Sequence, residues 1–468
     1  MKITFFGAAQ NVTGSKHLIE VDGFKLLLDC GLFQGRRQEV NVLNRNLPFS
    51  AKKIDAVILS HAHADHCGML PVLVKQGFHG KIYATSATTD ITEYILRDSA
   101  KIQEQDSQYF NDNLPPGADP IAPLYTEEDA TAVSSHFQPT PYFRLKPAWT
   151  NINTNIRFKF YDAGHILGSA ITVIEITENG ETKRIGFTGD MGKGGAPLLH
   201  DPELITEPLD ALLMECTYGG RNHRSLDLAA EELVKLTDYA ITHHSRIIVP
   251  AFALGRTQEL IYILHKLTDE NKIPRIPIYI DSPLATNIGD VFLRHPEDFN
   301  KEAWTDFGKN NEVPLLFRNL IYVNSIEQSK ALNAAPGPFM VISASGMMEG
   351  GRILHHLKNN VGDHNSLILI TGYQAEHTLG RKIQNGISPV NIFGRAFQVK
   401  AQIVTLDEFS AHADQQSLLN YLEHIPLPKQ LALVHTELPQ ATIFRDLLKK
   451  YFPELPVTIP TMGQSVEI

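Results

Sequence analysis

Along the first third of the chain, short apolar runs alternate with turn residues. KITFFG, HLIEV and KLLLD are each bounded by Gly or Asp, the pattern of strands in a sheet. KIDAVILS is a buried-strand pattern that stops at Ser60, and a His-rich stretch follows at once. The spacing predicts a helix over 90–108, a loop rich in Pro, Asn and Asp over 111–123, and strands over 156–161, 171–176 and 184–187. From about Leu212 the rhythm changes. A strand, a loop of small residues and a helix recur four times, in IIVPAFALGRTQELIYIL, IPIYIDSPLATNIGDVFL, FMVISASGMMEGGRILHHL and SLILITGYQAEHTLGRKI. Strands alternating with helices predict parallel pairing with right-handed crossovers, and the loops after the strands gather at one edge. From about Val399 the strand-and-turn style returns, in QIVTLDEF and QLALVH. The predicted organisation is a first domain in two parts, residues 1–213 and 399–468, with a second, parallel-sheet α/β domain inserted at 214–398. Such an insertion costs little when both joints lie in surface loops.

The 468 residues suit two or three domains at about 150 residues each. Hydrophobic residues make up 43% and charged residues 20%, enough for a large core and ordinary for a globular enzyme. No run of about 18 apolar residues predicts a membrane span, and MKITFFGAAQNVTGS reads as a strand and turn rather than a signal peptide. Three scattered cysteines, Cys30, Cys67 and Cys216, make no disulfide framework and point to the reducing cytoplasm. A net charge of −10 counts against a protein that coats nucleic acid nonspecifically. It leaves room for an enzyme whose positive charge is local, supplied by metal ions and a few arginines.

The sharpest chemical signal is LSHAHADHCGML. It places His61, His63, Asp65 and His66 within six residues, directly after a buried strand. Nitrogen and carboxylate donors at this density suit a borderline cation such as zinc. Four residues cannot fill two metals, and candidates to complete them recur at strand ends: His165 in YDAGHILGS, Asp190 in GFTGD and His435 in LALVHTE. The predicted arrangement gives His61, His63 and His165 to one Zn2+ and Asp65, His66 and His435 to a second. Asp190 bridges both. Paired metals about 3.5–4 Å apart can clamp a phosphate and activate a water between them. His17, His79, His136, His223, His243 and His244 lack such company and read as ordinary core or surface residues. With both metals filled, Cys67 and Cys216 read as small buried residues.

HAHADH, with Asp29 in LLLDCG upstream and His165 and Asp190 downstream, resembles the metallo-β-lactamase superfamily. MECTYG, FSAHAD and LVHTE resemble its β-CASP branch of nucleases, which includes short bacterial RNA-processing ribonucleases and the nuclease subunit of the cleavage and polyadenylation machinery. The resemblance runs in order from Gly7 to His435. It implies a metallo-β-lactamase αββα sandwich carrying an inserted β-CASP domain. It also implies that Asp29 orients a metal-binding His, and that Glu215 supports His412. His412 would lie over the scissile phosphate and protonate or stabilise the leaving oxygen. Asp65, Asp190, Glu215 and His412 would then form the catalytic set. RNA-directed members of the branch tend to carry His where His435 stands. Two positions depart from the family pattern: Thr436 and His377 stand where Gly is usual.

The loop SASGMMEGGR places Ser343, Ser345, Gly346 and Arg352 between a strand and a helix, where backbone N–H groups can approach phosphate. The resemblance adds that this loop contacts the RNA backbone. Arg256, Arg381 and Lys382 sit at equivalent edges, where each alone reads as a solvated helix-start charge and together they could make a positive rim. Phe252 and Tyr373 lie in loops suited to stacking, with core packing the expected role of Phe252. The resulting expectation is a cytoplasmic zinc-dependent ribonuclease acting on single-stranded RNA through a metal-bridging hydroxide. A homodimer and both endonuclease and 5′-exonuclease action stay open. Two rivals share the scaffold: a hydrolase of small esters or thioesters, and an inactive RNA-binding relative.

Overall fold

The computed structural model describes residues 1–35, 37–115, 117–308, 315–372, 374–375, 377–406 and 410–468. It divides into two units. The first comprises residues 1–196, 200–222 and 412–468; the second comprises 197–199 and 223–411. The division falls after the strand Ala211–Glu215 because that strand pairs in parallel with both Glu181–Phe187 and Leu431–Val434 inside the first unit.

The first unit holds two seven-stranded sheets. One runs Ser465–Glu467, Lys2–Phe5, His17–Val21, Phe24–Leu28, Ala56–Ile58, Lys81–Ala84, Phe137–Pro139. The other runs Val457–Thr458, Leu431–Val434, Ala211–Glu215, Glu181–Phe187, Ala170–Glu178, Ile156–Asp162, Thr150–Asn151. Their apolar runs are nearly continuous because both faces of each sheet are covered. In Phe24–Leu28 and Ala56–Ile58, Leu26, Leu28, Ala56 and Ile58 face one cluster while Leu27 and Val57 face another. Leu212 and Met214 likewise point away from Leu213. This is the period-two alternation of a strand. The inner cluster joins Ile3, Phe5, Ile19 and Ile58 of the first sheet to Phe158, Phe160, Ile174 and Phe187 of the second.

Each outer face takes helices. Leu27, Val57 and Ile82 pack with Leu70, Leu73 and Leu96 of the helices Leu70–Lys75 and Ser86–Asp112. Leu212, Leu431 and Leu433 pack with Leu418 and Leu422 of Gln415–His424 and with Phe444 and Leu448 of Leu438–Tyr451. The layers are therefore helix, sheet, sheet, helix, as an αββα sandwich requires. The helix expected over 90–108 runs longer, Ser86–Asp112, because the Thr85 side chain accepts from Thr88 N and caps it earlier.

The second unit is a parallel sheet ordered Leu320–Tyr322, Ile278–Ile280, Phe339–Ser343, Arg246–Pro250, Ser366–Ile370, Gln402–Thr405. All four expected strand–loop–helix repeats are present, closed by the helices Arg256–Asp269, Pro283–Arg294, Ile353–Asn360 and Leu379–Gln384. One strand lies elsewhere than the sequence suggests. Gln402–Thr405, read as the return to the first domain, pairs with Leu367–Ile370 at the edge of this sheet. Its four residues, Gln-Ile-Val-Thr with none fully buried, suit an edge strand of either sheet, so the pattern alone carries no address. Among the described residues, no helix is long and apolar enough to cross a membrane.

Candidate metal centre

The clustered residues leave the sandwich at the ends of neighbouring strands. His61, His63, Asp65 and His66 follow Ala56–Ile58, His165 follows Ile156–Asp162, and Asp190 follows Glu181–Phe187. Glu215 closes Ala211–Glu215, His435 follows Leu431–Val434, and His412 precedes the helix Gln415–His424. Parallel pairing of Glu181–Phe187 with Ala211–Glu215, and of that strand with Leu431–Val434, sets Asp190, Glu215 and His435 side by side, while Ala56–Ile58 brings its residues from the other sheet. All of them lie in the first unit.

The donor atoms converge. His61 Nε2 is 3.1 Å from His63 Nδ1, and His165 Nε2 is 3.3 Å from the same atom. Asp190 Oδ2 lies 3.4 Å from His61 Nε2 and 3.6 Å from His165 Nε2. Beside this group, His66 Nε2 is 3.3 Å from His435 Nε2 and 3.3 Å from Asp190 Oδ2. Asp65 Oδ2 is 3.5 Å from His435 Nε2. A tetrahedral site with bonds of about 2.0–2.1 Å has edges of about 3.3–3.4 Å between its ligand atoms. The spacings are those of ligand atoms around a shared ion. The Oδ1 atom of Asp190 is buried and accepts no well-aligned hydrogen bond, with His435 Nδ1 at 3.3 Å beside it, an arrangement that a cation would satisfy. The donor set fits a divalent metal ion.

Protonation agrees. Burial holds the imidazoles of His61 and His165 below the usual histidine range, and that of His63 at about 3, so all three are neutral and their lone pairs are available. Burial alone would raise the Asp190 carboxyl, but His435, His66 and His61 around it hold it well below the usual range. For His66 burial is outweighed by Asp190 and Asp29, which raise it. Cys30, Cys67 and Cys216 are buried, burial pushes each thiol upward, and none joins the donor groups found among the described residues.

Asp29 stands behind the cluster in left-handed conformation, φ 59°. Its Oδ2 is 2.7 Å from His66 Nδ1 and accepts from Ser15 Oγ at 2.9 Å and Ser60 Oγ at 3.0 Å. Its Oδ1 accepts from Ser60 N at 2.8 Å. Bonding Nδ1–H leaves Nε2 of His66 as the free donor atom toward Asp190. Partners of this kind are worth about 10–100-fold in metal affinity. Asp29→Asn keeps the shape but puts an NH2 donor where one accepting oxygen stood. It is expected to lower metal affinity by about that factor in chelator competition and to cost some thermal stability, since buried donors then face it. Unchanged affinity would show that Asp29 serves the fold alone.

Glu215 is fully buried and fixed, accepting from Met191 N at 2.6 Å and Thr217 N at 3.3 Å. Its oxygens lie 3.1 and 3.3 Å from His412 Nδ1. His412 keeps 21% side-chain exposure where His61, His66 and His165 keep 1% or less, so it forms the rim of the cluster. Its ring lies 4.5 Å from that of His165. Burial would depress its pKa, but the Glu215 and Asp190 carboxylates raise it to about 9. Gly192 makes the approach feasible. It bridges to His412, and a Cβ there would sit 2.0 Å from Gly164 O.

The strands thus bring together Asp29, His61, His63, Asp65, His66, His165, Asp190, Glu215, His412 and His435. Sequence reasoning missed Ser15, Ser60 and Thr217; Thr217 Oγ1 lies 3.1 Å from His435 Nδ1. A hydroxyl at a strand end carries no distinguishing signal. Thr436 is fully buried and avoids positive φ, while His435 before it takes φ 49°. The left-handed turn thus falls on the His, and a β-branched residue fits after it. His377, the other departure, itself takes φ 71°.

The loop residues of the second unit behave differently. Ser343 is buried and its hydroxyl donates to Asp281 O at 2.8 Å, so it is committed to the fold rather than offered to a ligand. Arg352 Nη1 donates to Asp281 Oδ1 at 2.6 Å and Val323 O at 3.3 Å. Ser345 Oγ accepts from Glu349 N at 3.1 Å, and Gly346 O accepts from Gln374 Nε2 at 2.9 Å. Tyr373 lies outside the described residues.

An αββα sandwich with a cage of His and Asp at its strand ends defines a metal-dependent hydrolase. The sequence matches the Metallo-beta-lactamase superfamily over residues 14–241, the Beta-Casp domain over 257–383 and the Zn-dependent metallo-hydrolase RNA specificity domain over 397–460. It is 36% identical to Ribonuclease TTHA0252 of Thermus thermophilus, across the whole of both chains. An RNase J-like protein of Methanocaldococcus jannaschii is 30% identical over 100% of this chain and 99% of its own. The transcription termination factor FttA of the same organism is 28% identical over 97% of this chain and 69% of its own. The chain belongs to the β-CASP branch of the metallo-β-lactamase superfamily.

Proposed function

We propose that this chain is a two-zinc ribonuclease that hydrolyses phosphodiester bonds of single-stranded RNA. The observation that carries the reading is Asp190 Oδ2, within 3.3–3.6 Å of imidazole nitrogens from His61, His66 and His165. One carboxylate set between two donor groups is what a bridging ligand requires. In this reading His61, His63 and His165 hold one ion, Asp65, His66 and His435 the other, and Asp190 both. When bound, such a pair supplies a nucleophilic water at neutral pH and neutralises charge on the phosphate. His412 holds the proton that the leaving oxygen needs. Glu215 occupies its Nδ1, so the proton for transfer sits on Nε2. RNA as the substrate draws support from the ribonuclease names of the relatives and the RNA specificity domain matched at 397–460. The intact donor set speaks against an inactive relative.

The test compares a labelled single-stranded RNA with a small ester and a thioester. Zinc-loaded protein is expected to cut the RNA, to lose that activity with a chelator and to regain it with added zinc. Ester and thioester hydrolysis should stay near background. Fast ester turnover with intact RNA would favour the small-substrate rival.

A further inference from the structure

The second unit carries an exposed aromatic residue where backbone geometry disfavours one. The strands Val390–Ile392 and Arg395–Phe397 form a hairpin with Ile392 opposite Arg395, so Phe393 and Gly394 make the whole turn. Both have positive φ, 50° and 73°. Two successive positive φ values mark a type I′ turn, whose preferred sequence is Asn-Gly. A bulky side chain is disfavoured in that region, and strain of this kind concentrates at ligand sites. Burial does not compensate for it here, since Phe393 is 53% exposed.

The ring does have a neighbour. His355, exposed on the helix Ile353–Asn360, lies 4.7 Å from it between centroids, with the planes 40° apart. Partial burial, then the ammonium of Lys358, the His356 ring and the ammonium of Lys330 hold the His355 imidazole below its usual pKa. Both lysines are exposed, one on the same helix and one on Ile326–Leu332. Two rings in contact thus reach the surface, with two exposed lysines acting on His355 against the single carboxylate of Asp281, on a chain whose net charge is −10.

We propose that Phe393 and His355 form a stacking platform for bases of single-stranded RNA, with Lys358 and Lys330 engaging its phosphates. Aromatic faces accept any base, and cations beside them suit a polyanion. An acidic peptide would use the lysines but leave the rings idle. The platform lies in the unit that contains none of the metal-centre residues. It rests on RNA being the substrate and adds a second place where the strand is held.

The experiment measures fluorescence anisotropy of a labelled oligouridylate with the zinc-loaded full chain, in a His412→Ala background that spares the RNA. Phe393→Asn removes the ring and suits the turn. It is expected to weaken binding by about 5–100-fold, the worth of one stacked base, with the melting temperature unchanged or raised. Phe393→Trp should bind like the parent. Lys358→Gln should reduce the slope of log affinity against log salt by about 0.7, the value of one single-strand phosphate contact. Parent-like binding by Phe393→Asn overturns the platform and leaves the ribonuclease reading intact. So does weakened binding that comes with a lower melting temperature and is not rescued by Trp. An acidic peptide that displaces the oligonucleotide at equal concentration also overturns it. A parent that binds no RNA overturns both readings.

Discussion

Asp190→Ala is expected to reduce RNA cleavage by about 10³-fold or more and to strip at least one metal ion from the chain. The magnitude follows from the several kcal/mol that a metal pair contributes to charge stabilisation, at about 1.4 kcal/mol per tenfold in rate. The residue is singular because its carboxylate is shared. Its Oδ2 faces His61, His66 and His165, and its Oδ1 lies 3.3 Å from His435 Nδ1. Removing it leaves the imidazoles on either side without the negative charge that would offset the proposed pair of dications. Asp190→Asn, which keeps the shape and loses the charge, should fall almost as far. Cleavage within tenfold of the parent, with metal content unchanged, would remove Asp190 from the centre.

His412→Ala is expected to behave in the opposite way toward metal. It should lower the cleavage rate by about 10²–10⁴-fold, the usual worth of a positioned acid, while metal content stays at the parental level. The rate should also lose a limb of its pH profile. In the proposed role His412 donates a proton, so it must be protonated, and its pKa is raised to about 9 by Glu215 and Asp190 against the effect of burial. Activity of the parent is therefore present below that pKa and declines as pH rises through it. The variant should show no such decline. Loss of metal in His412→Ala would make it a ligand, which its 3.9 Å separation from Asp190 and its place at the rim argue against. Glu215→Gln should retain metal too and lower the pH at which activity falls, since the first carboxylate holding the imidazolium is gone.

The legible parts of the centre were those with local density. Three His and an Asp within six residues, at the end of a buried strand, have little reason to coexist except a shared ion. His165 and Asp190 were legible only as the complement that the cluster lacked, because each alone resembles any strand-end residue. Glu215 and His412 came through family resemblance, since their pairing spans nearly the whole second unit and no spacing rule connects them. Ser15, Ser60 and Thr217 were invisible. What makes them functional is a 2.9–3.1 Å contact to Asp29 or His435 that arises only when strands are laid side by side. The misplaced strand Gln402–Thr405 has a similar cause: pairing partners, not its own residues, decide which sheet takes it. Ser343 was drawn toward a ligand role by its glycine-rich setting. The buried carbonyl of Asp281 claims its hydroxyl instead.

Anomalous X-ray scattering at the zinc edge, on crystals of the purified protein, addresses the cage directly. The expected map has two peaks about 3.5–4 Å apart. One should bond to His61, His63 and His165, the other to Asp65, His66 and His435, with Asp190 reaching both. A single peak, or a pair located away from Asp190, would contradict the account.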